Sequence, residues 1–196
     1  MKSPAVSAEL PILLFEHQQA WAEWLDQQAS DSPGAWLRFA KKKSEIRSLS
    51  YAEALDVALC HGWIDSQKKS YDEASWLQKF TPRGPKSIWS KINREKVQAL
   101  IEAGRMKPAG LLAVERAKGD GRWDAAYDSQ SNATVPEDLQ AALDQNPKAS
   151  AFFATLDSAN RYAILFRIHA AKKPETRIKK IAAFVEMLER NQKIHW

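Results

Sequence analysis

The sequence has a single cysteine, Cys60, and only four histidines, which lie far apart along the chain. One cysteine excludes an intramolecular disulfide and any zinc site built on several cysteines. The histidines show neither HxxxH nor HExxH spacing, the arrangement that places two metal ligands on one face of a helix. We therefore expect no metal site, and no residue pattern indicates a bound cofactor.

Long apolar runs and a phosphate-binding glycine loop are also missing. The stretch PILLF at residues 11–15 is far shorter than the roughly 18 apolar residues that a membrane-spanning helix needs. The first residues, MKSPAVSAELP, contain no apolar segment of the secretory type, and the pattern GxxxxGK(S/T) does not occur. These absences predict a protein with no membrane span and a cytoplasmic location.

Positive charge is in modest excess and unevenly placed. The net charge is +5, yet the segment from Lys79 to Lys96 holds six basic residues and one acid, and residues 158–196 hold nine basic residues and three acids. The two segments therefore carry +5 and +6, and the remainder −6. This asymmetry favours an anionic partner, although solvated helix faces would give the same pattern.

The first half of the chain alternates strand-like and helix-like segments. Ser50 followed by Glu53 forms a capping box before an apolar helical face, and Gly62 stands where that helix would end. WIDSQKKS and SWLQKF predict a hairpin with its loop at YDEA, residues 71–74. Strict alternation would place Asp65 and Lys69 on one face of the first of these strands.

The second half reads as helix. Asn93 is a suitable N-cap for a helix that ends at Gly104, and another helix is expected from Pro108 to Lys118. After the polar stretch 128–138, helices are expected at 136–144, 147–156, 158–172 and 174–191. The predicted class is α+β and helix-rich, with a small, mainly antiparallel or mixed sheet in an N-terminal domain (1–130) and an all-helical C-terminal domain (131–196).

The stretch CHGWIDSQKKS at residues 60–70 is the densest in chemically active side chains. Cys60 and His61 fall in the last turn of a helix, where a histidine favours the negative end of the helix dipole and a lone cysteine is commonly a buried small hydrophobe. In the strand that follows, Asp65 could act as an acid or base beside Trp63, or be a structural carboxylate. The residues leave both interpretations open.

Two further segments suggest a binding surface. FTPRGPKSIWSKIN places basic side chains at the approach to a helix N-terminus, an arrangement that suits an anion, although a surface loop with solvated charges remains open. GDGRWDAAYDSQ fits either a pocket edge or a domain linker pinned by Trp123. The candidate ligand-binding residues are Trp63, Asp65, Lys68, Lys69, Arg83, Lys86, Trp89, Lys91, Asn93, Arg122 and Trp123.

Five stretches, in order, resemble the YdeI/OmpD-associated family of bacterial proteins: SLSYAEALDVALCHGWIDSQKK, FTPRGPKSIWSKIN, GRMKPAG, GRWDAAY and RYAILFRIHAAKKPETRIKKIAAFVEML. The resemblance extends from about residue 11 to residue 192, and the last 60 or so residues are similar to the family's bacteriocin-protection module. It implies a link to protection against bacteriocins and antimicrobial stress and to an outer-membrane porin. It implies no catalytic residues.

Three functional hypotheses follow from the sequence. The first is a non-catalytic protein that binds an anionic small molecule or a phosphate group in one pocket built from Trp63, Asp65, Lys68 or Lys69, Arg83, Lys86 and Trp89. The second is a nucleic-acid-binding protein, which the basic segments favour and the small net charge disfavours. The third is an enzyme that uses Asp65 as acid or base. The residues do not indicate an oligomeric state.

Overall fold

The computed structural model describes residues 9–195. In this range the chain forms a four-stranded sheet and eight helices, in the order β1 (Ile12–Leu13), α1 (Gln18–Asp26), β2 (Ala35–Ala40), α2 (Tyr51–Cys60), β3 (Trp63–Ser70), β4 (Ser75–Pro82), α3 (Lys91–Glu102), α4 (Pro108–Gly119), α5 (Glu137–Asp144), α6 (Pro147–Thr155), α7 (Ser158–His169) and α8 (Pro174–Glu189). The predicted α+β class, with its sheet in the N-terminal half and only helices beyond, is confirmed.

The described residues divide into two compact units. The N-terminal unit comprises residues 9–89 and 93–126, and the C-terminal unit comprises 90–92 and 127–195. Each has its own hydrophobic core. Trp21, Leu37, Leu59, Phe80 and Trp89 are among the buried residues of the first, and Leu139, Leu143, Ile164, Ile168 and Leu188 of the second. The division into domains 1–130 and 131–196 stays a prediction.

The sheet has the strand order β1-β2-β4-β3, with β1 parallel to β2 and the other neighbours antiparallel. The predicted hairpin is present, but a bulge between Asp65 and Lys68 shifts its register, so that Asp65 pairs with Phe80 and Lys68 with Gln78. An extra residue reverses the alternation of side chains beyond it. The prediction that Asp65 and Lys69 share a face is therefore wrong.

Helix α2 begins and ends as its sequence indicates. The Ser50 hydroxyl accepts from the Glu53 amide. The Ser50 amide and hydroxyl both donate to the Glu53 carboxylate at 2.8 Å, and these two bonds lower the pKa of Glu53. At the other end Gly62 has φ +74°, a left-handed conformation that glycine adopts without strain. The chain therefore turns directly from the end of α2 into β3.

The first turn of α4 packs against the last turn of α2 with almost no space between the backbones. The Lys107 amide donates to the Cys60 carbonyl at 3.0 Å, and a Cβ on Gly110 would lie 2.2 Å from the same oxygen. A Cβ on Gly62 would lie 2.8 Å from the Ala109 carbonyl oxygen. Two glycines thus permit this contact, which fixes where the start of α4 lies.

Several predicted helix boundaries need correction. Helix α3 begins at Lys91, so Asn93 lies in its first turn and is not the N-cap. The start is set by chain pairing: Ser90 forms a bridge with Tyr127, and the Lys91 amide donates to the Tyr127 carbonyl at 2.9 Å. Pro136 is the N-cap of α5, and α7 ends at His169, short of residue 172.

An arginine connects three helices of the C-terminal unit. Arg177 at the start of α8 donates to both carboxylate oxygens of Asp138 in α5, with Nη2 2.8 Å from Oδ1, and to the Ile168 carbonyl of α7 at 3.1 Å. These hydrogen bonds, with the Arg177 charge, lower the pKa of Asp138. No helix in the described part of the chain is both long and apolar enough to cross a membrane.

The glycine contact gives a stability prediction. Gly110→Ala should lower the free energy of unfolding by about 1–3 kcal/mol, because its methyl group would collide with the Cys60 carbonyl. Urea denaturation followed by tryptophan fluorescence measures this, since seven of the eight tryptophans lie in the N-terminal unit.

A matched control lies in the same helix. Gly119 ends α4 with no atom within 4 Å of its would-be Cβ. Gly119→Ala should be neutral or stabilise by up to about 1 kcal/mol through helix propensity. Equal effects of the two substitutions would contradict the close approach at Gly110.

The Arg177–Asp138 pair predicts a pH-dependent contribution to stability. A carboxyl group whose pKa is lowered by folding stabilises the folded chain at pH values above its pKa in the unfolded state. This contribution is lost as the pH falls through the pKa of the folded state. Asp138→Asn should therefore lower the free energy of unfolding at neutral pH by up to about 1 kcal/mol, since the pair is partly exposed. The difference should shrink at about pH 3.

Urea denaturation followed by far-ultraviolet circular dichroism at both pH values checks this. In an Arg177→Met background, Asp138→Asn should have little further effect at neutral pH, because the two groups contribute one interaction. A stability difference between the unaltered chain and the Asp138→Asn variant that persists undiminished at low pH would refute the assignment.

Candidate functional site

A cleft of about 530 Å³ lies within the N-terminal unit. Its walls come from the end of α1, the junction of α2 and β3, the loop after β4 and the start of α4. Four basic side chains line it (Arg83, Lys107, Arg116 and Arg122), together with one carboxylate, Asp26. Trp63 and Trp89, both largely buried, supply apolar wall. The cleft is therefore positively charged with an aromatic lining.

Arg83 is held in place by the backbone and by a tryptophan. Its amide donates to the Gly62 carbonyl at 2.8 Å, which ties the loop after β4 to the end of α2. Its guanidinium lies 3.5 Å from the centroid of the Trp89 ring, and Nη1 donates to the Ile88 carbonyl at 3.2 Å. A cation over the face of tryptophan is attracted by the ring, so the guanidinium has a fixed position on the cleft wall.

Arg122 approaches the same loop from the segment after α4. Its Nη1 donates to the Ser87 carbonyl at 2.6 Å, and the side chain pairs with Asp120 at 2.7 Å, an interaction that lowers the pKa of Asp120. The Arg122 side chain is only 17% exposed. Two arginines thus converge on the loop at residues 83–89.

The opposite side of the cleft is the start of α4. Lys107 is the N-cap residue and forms no side-chain cap hydrogen bond, and Pro108 is the first helical residue. The N-terminus of a helix carries a partial positive charge that favours anions. Lys107 and Arg116, both exposed, add full charges to this side.

His61 and Asp26 form a structural pair at the cleft. His61 is buried, with Nδ1 2.8 Å from the Val57 carbonyl oxygen and Nε2 3.1 Å from Asp26 Oδ1. Lys107 Nζ lies 4.0 Å from the other Asp26 oxygen. The one acid of the cleft therefore has His61 and Lys107 as neighbours.

No activated thiol contributes to the cleft. Cys60 is buried at the end of α2, where burial raises the pKa of its thiol, whereas a nucleophilic cysteine needs a lowered pKa. Both ring nitrogens of the neighbouring His61 are engaged as described. The geometry can hold an anionic group against a tryptophan wall.

The structure brings together four of the candidate binding residues: Trp63, Arg83, Trp89 and Arg122 line the cleft. Asp65, Lys68, Lys69 and Lys86, which the sequence also assigned to one pocket, do not line this cleft, and a part for them in binding stays a prediction. Asp65 accepts hydrogen bonds from Tyr51 at 2.8 Å and Gln78 at 3.5 Å.

The two hairpin lysines lie too far along β3 to reach the cleft. Lys69 is roughly 20 Å beyond Trp63 along an extended strand. The Nζ atom of Lys68 lies 4.3 Å from the ring centroid of Trp76, and the Nζ atom of Lys69 lies 4.2 Å from the ring centroid of Trp36. The two lysines are on opposite faces of the sheet. Lys86 is an exposed loop residue.

The remaining candidates have other neighbours. Lys91 pairs with Asp128 at 2.8 Å within the C-terminal unit, and Asn93 lies in the first turn of α3. Trp123 packs edge-on against Trp89, with ring centroids 5.0 Å apart, and so supports the cleft wall from behind.

Sequence reasoning missed Lys107, Arg116 and Asp26. Lys107 lies in the stretch GRMKPAG, where the proline after the lysine is typical of the first residue of a helix. The sequence therefore indicates that Lys107 lies at a helix N-terminus. Nothing in the sequence indicates that this helix start faces the loop at Arg83, because that depends on the glycine-mediated contact between α2 and α4.

Comparison with known protein families covers most of the chain. Residues 13–113 match a family described as a domain of unknown function, DUF8412, and residues 132–191 match the family described as Bacteriocin-protection, YdeI or OmpD-Associated. The first match covers about half of the chain, which belongs to that family, and residues 132–191 are similar to the second family. The first match includes Arg83, Lys107 and the two tryptophans of the cleft, and the second lies within the C-terminal unit. No curated protein and no solved structure matches the chain.

The contacts of His61 predict a structural role for this side chain. His61→Ala should lower the free energy of unfolding by about 1–3 kcal/mol, because it removes a buried ring whose nitrogens lie within hydrogen-bond distance of the Val57 carbonyl and Asp26. His17→Ala is the matched control, since His17 is exposed and forms no side-chain cap hydrogen bond. Urea denaturation followed by tryptophan fluorescence compares them, and an unchanged midpoint for His61→Ala would contradict a structural role.

Proposed function

We propose that the N-terminal unit binds a small anionic molecule, carrying a phosphate or carboxylate group, in the basic cleft, without catalysis. The observation that carries this proposal is the convergence of Arg83, Arg122 and the start of α4 on one cavity walled by Trp63 and Trp89. Arginine suits phosphate and carboxylate because its planar guanidinium can donate two parallel hydrogen bonds. The tryptophans would contact the apolar part of the ligand.

A small ligand is favoured over a nucleic acid. In the basic segment 79–96, Lys91 pairs with Asp128, Lys96 pairs with Asp56 at 2.8 Å, and Arg94 donates to the Trp123 carbonyl at 2.8 Å. These cations are engaged by the chain's own acceptors, whereas a polyanion is held by many cations that neutralise its phosphates. The concave shape of the cleft also suits a compact molecule.

Binding is also favoured over catalysis. An acid or base must reach the reacting group, but Asp65 does not line the cleft, and His61 has both nitrogens engaged. The acid–base hypothesis for Asp65 therefore has no support from its surroundings.

The physiological role that we propose is protection against bacteriocins or related antimicrobial stress. Support for it comes from the family description of residues 132–191. In this proposal, the N-terminal unit contributes to protection by binding its anionic ligand.

A titration with defined anions tests the cleft. Isothermal titration calorimetry with inorganic phosphate, pyrophosphate, citrate and AMP, at constant ionic strength, should detect binding of at least one of them. Arg83→Ala should weaken that binding by roughly ten- to a hundredfold, since a hydrogen bond to a charged group contributes about 1.5–3 kcal/mol. Arg116→Ala should weaken it less, because Arg116 is exposed.

Lys86→Ala is the matched control and should leave affinity unchanged, since Lys86 is exposed in the same loop and does not line the cleft. Equal losses from Arg83→Ala and Lys86→Ala would show a diffuse charge effect and refute the cleft as the site. Tight, salt-dependent binding of a single-stranded oligonucleotide without response to the small anions would instead favour the nucleic-acid alternative.

A further inference from the structure

A second, smaller pocket of about 190 Å³ lies within the C-terminal unit. It is formed by the segment that precedes α5, by one face of α7 and by the start of α8. None of its residues belongs to the basic cleft of the N-terminal unit. Its chemistry is therefore independent of the anion site proposed above.

Three aromatic rings line this pocket. The rings of Tyr127 and Phe166 have centroids 5.0 Å apart and lie nearly perpendicular, at 88°. Tyr162 lies 5.9 Å from Phe166, with its plane tilted by 42°. All three side chains are only partly buried. The three rings lie in different planes, and an aromatic ring has an electron-rich face that attracts a cation placed over it.

The tyrosine of α7 is fixed in position and stays uncharged. The Tyr162 hydroxyl donates to the Asp128 carbonyl at 3.0 Å, which sets the ring against the segment before α5. Burial raises the pKa of Tyr162, and the neighbouring Tyr127 and Asp128 raise it further. The ring is therefore a neutral phenol at physiological pH.

The two formal charges at this pocket each have a partner of opposite sign. The carboxylate of Asp128 belongs to the lining, and it pairs with Lys91. Arg177 also lines the pocket, but its guanidinium is bound to the Asp138 carboxylate and the Ile168 carbonyl. An anion would have to approach Asp128 without the use of this arginine. His169 also lines the pocket.

We propose that this pocket binds a small organic cation, of the methylated or quaternary ammonium class. A cation within about 6 Å of aromatic faces is attracted by the rings, and quaternary ammonium groups are recognised by aromatic cages of this kind. A cavity of this size accommodates the ammonium head group and a short chain.

A pair of ligands with the same shape tests the proposal on the unaltered full-length chain. Choline carries a trimethylammonium group, and 3,3-dimethylbutan-1-ol has the same shape with a neutral carbon in its place. Titrations at mildly alkaline pH, followed by aromatic ¹H–¹³C NMR of the tyrosine and phenylalanine rings, should show choline shifting the Tyr127, Tyr162 and Phe166 signals. Choline should bind roughly fivefold or more tightly than the neutral alcohol.

Two variants locate the site. Phe166→Leu retains apolar volume but removes one aromatic face, and should weaken choline binding by roughly fivefold or more. Tyr162→Phe keeps the ring and should retain most of the affinity. Circular dichroism of both variants checks that the helices are intact. The choline comparison on the unaltered chain remains decisive if either variant unfolds.

Three results would overturn the proposal. Equal affinity for choline and the neutral alcohol would make the pocket a simple apolar site. Shifts of the same three rings with inorganic phosphate, and not with choline, would make it an anion site. An unchanged choline affinity in folded Phe166→Leu would place the binding elsewhere.

Discussion

The contact between the last turn of α2 and the first turn of α4 is the constraint on which the N-terminal site depends. The Lys107 amide donates to the Cys60 carbonyl. The two backbones lie so close at Gly62 and Gly110 that no side chain would fit at either position. The negative end of one helix dipole thereby meets the positive end of another. This contact places the α4 N-terminus beside the start of β3 and the loop that carries Arg83.

The same region shows how a basic surface becomes a defined cavity. Arg83 is stacked on Trp89, Arg122 is bound to Asp120 and the Ser87 carbonyl, and Asp26 is hydrogen-bonded to His61. Each of these charges has a fixed position, so little side-chain freedom remains to be lost when a ligand binds. Exposed lysines such as Lys86 have the same charge but no such constraint.

The C-terminal unit uses its arginine differently. Arg177 joins α5, α7 and α8 through Asp138 and the Ile168 carbonyl, so it serves packing and is not directed at a ligand. Its neighbours Tyr127, Tyr162 and Phe166 are left to define the pocket. The two units therefore present pockets of different chemistry, one lined by basic side chains and tryptophans and the other by three aromatic rings with Asp128, His169 and Arg177.

Local signals alone determined the α+β class, the capping box at Ser50 and Glu53, the left-handed end of α2 at Gly62, the hairpin and the proline-led starts of α4, α6 and α8. Each of these depends on side chains a few residues apart, which is the range over which a sequence pattern specifies backbone conformation. The resemblance to the YdeI/OmpD-associated family likewise came from contiguous motifs.

Tertiary structure decided which of the charged residues share a cavity. Trp63, Arg83, Trp89 and Arg122 meet, whereas Lys68 and Lys69 lie too far along β3, and a bulge that no alternation pattern reveals places Lys69 on the face opposite to Asp65. Asn93 lost its capping role because Lys91 pairs with Tyr127, which is distant in sequence. Contacts between distant segments set the site, and the spacing of residues along a strand or helix does not encode which distant segments will meet.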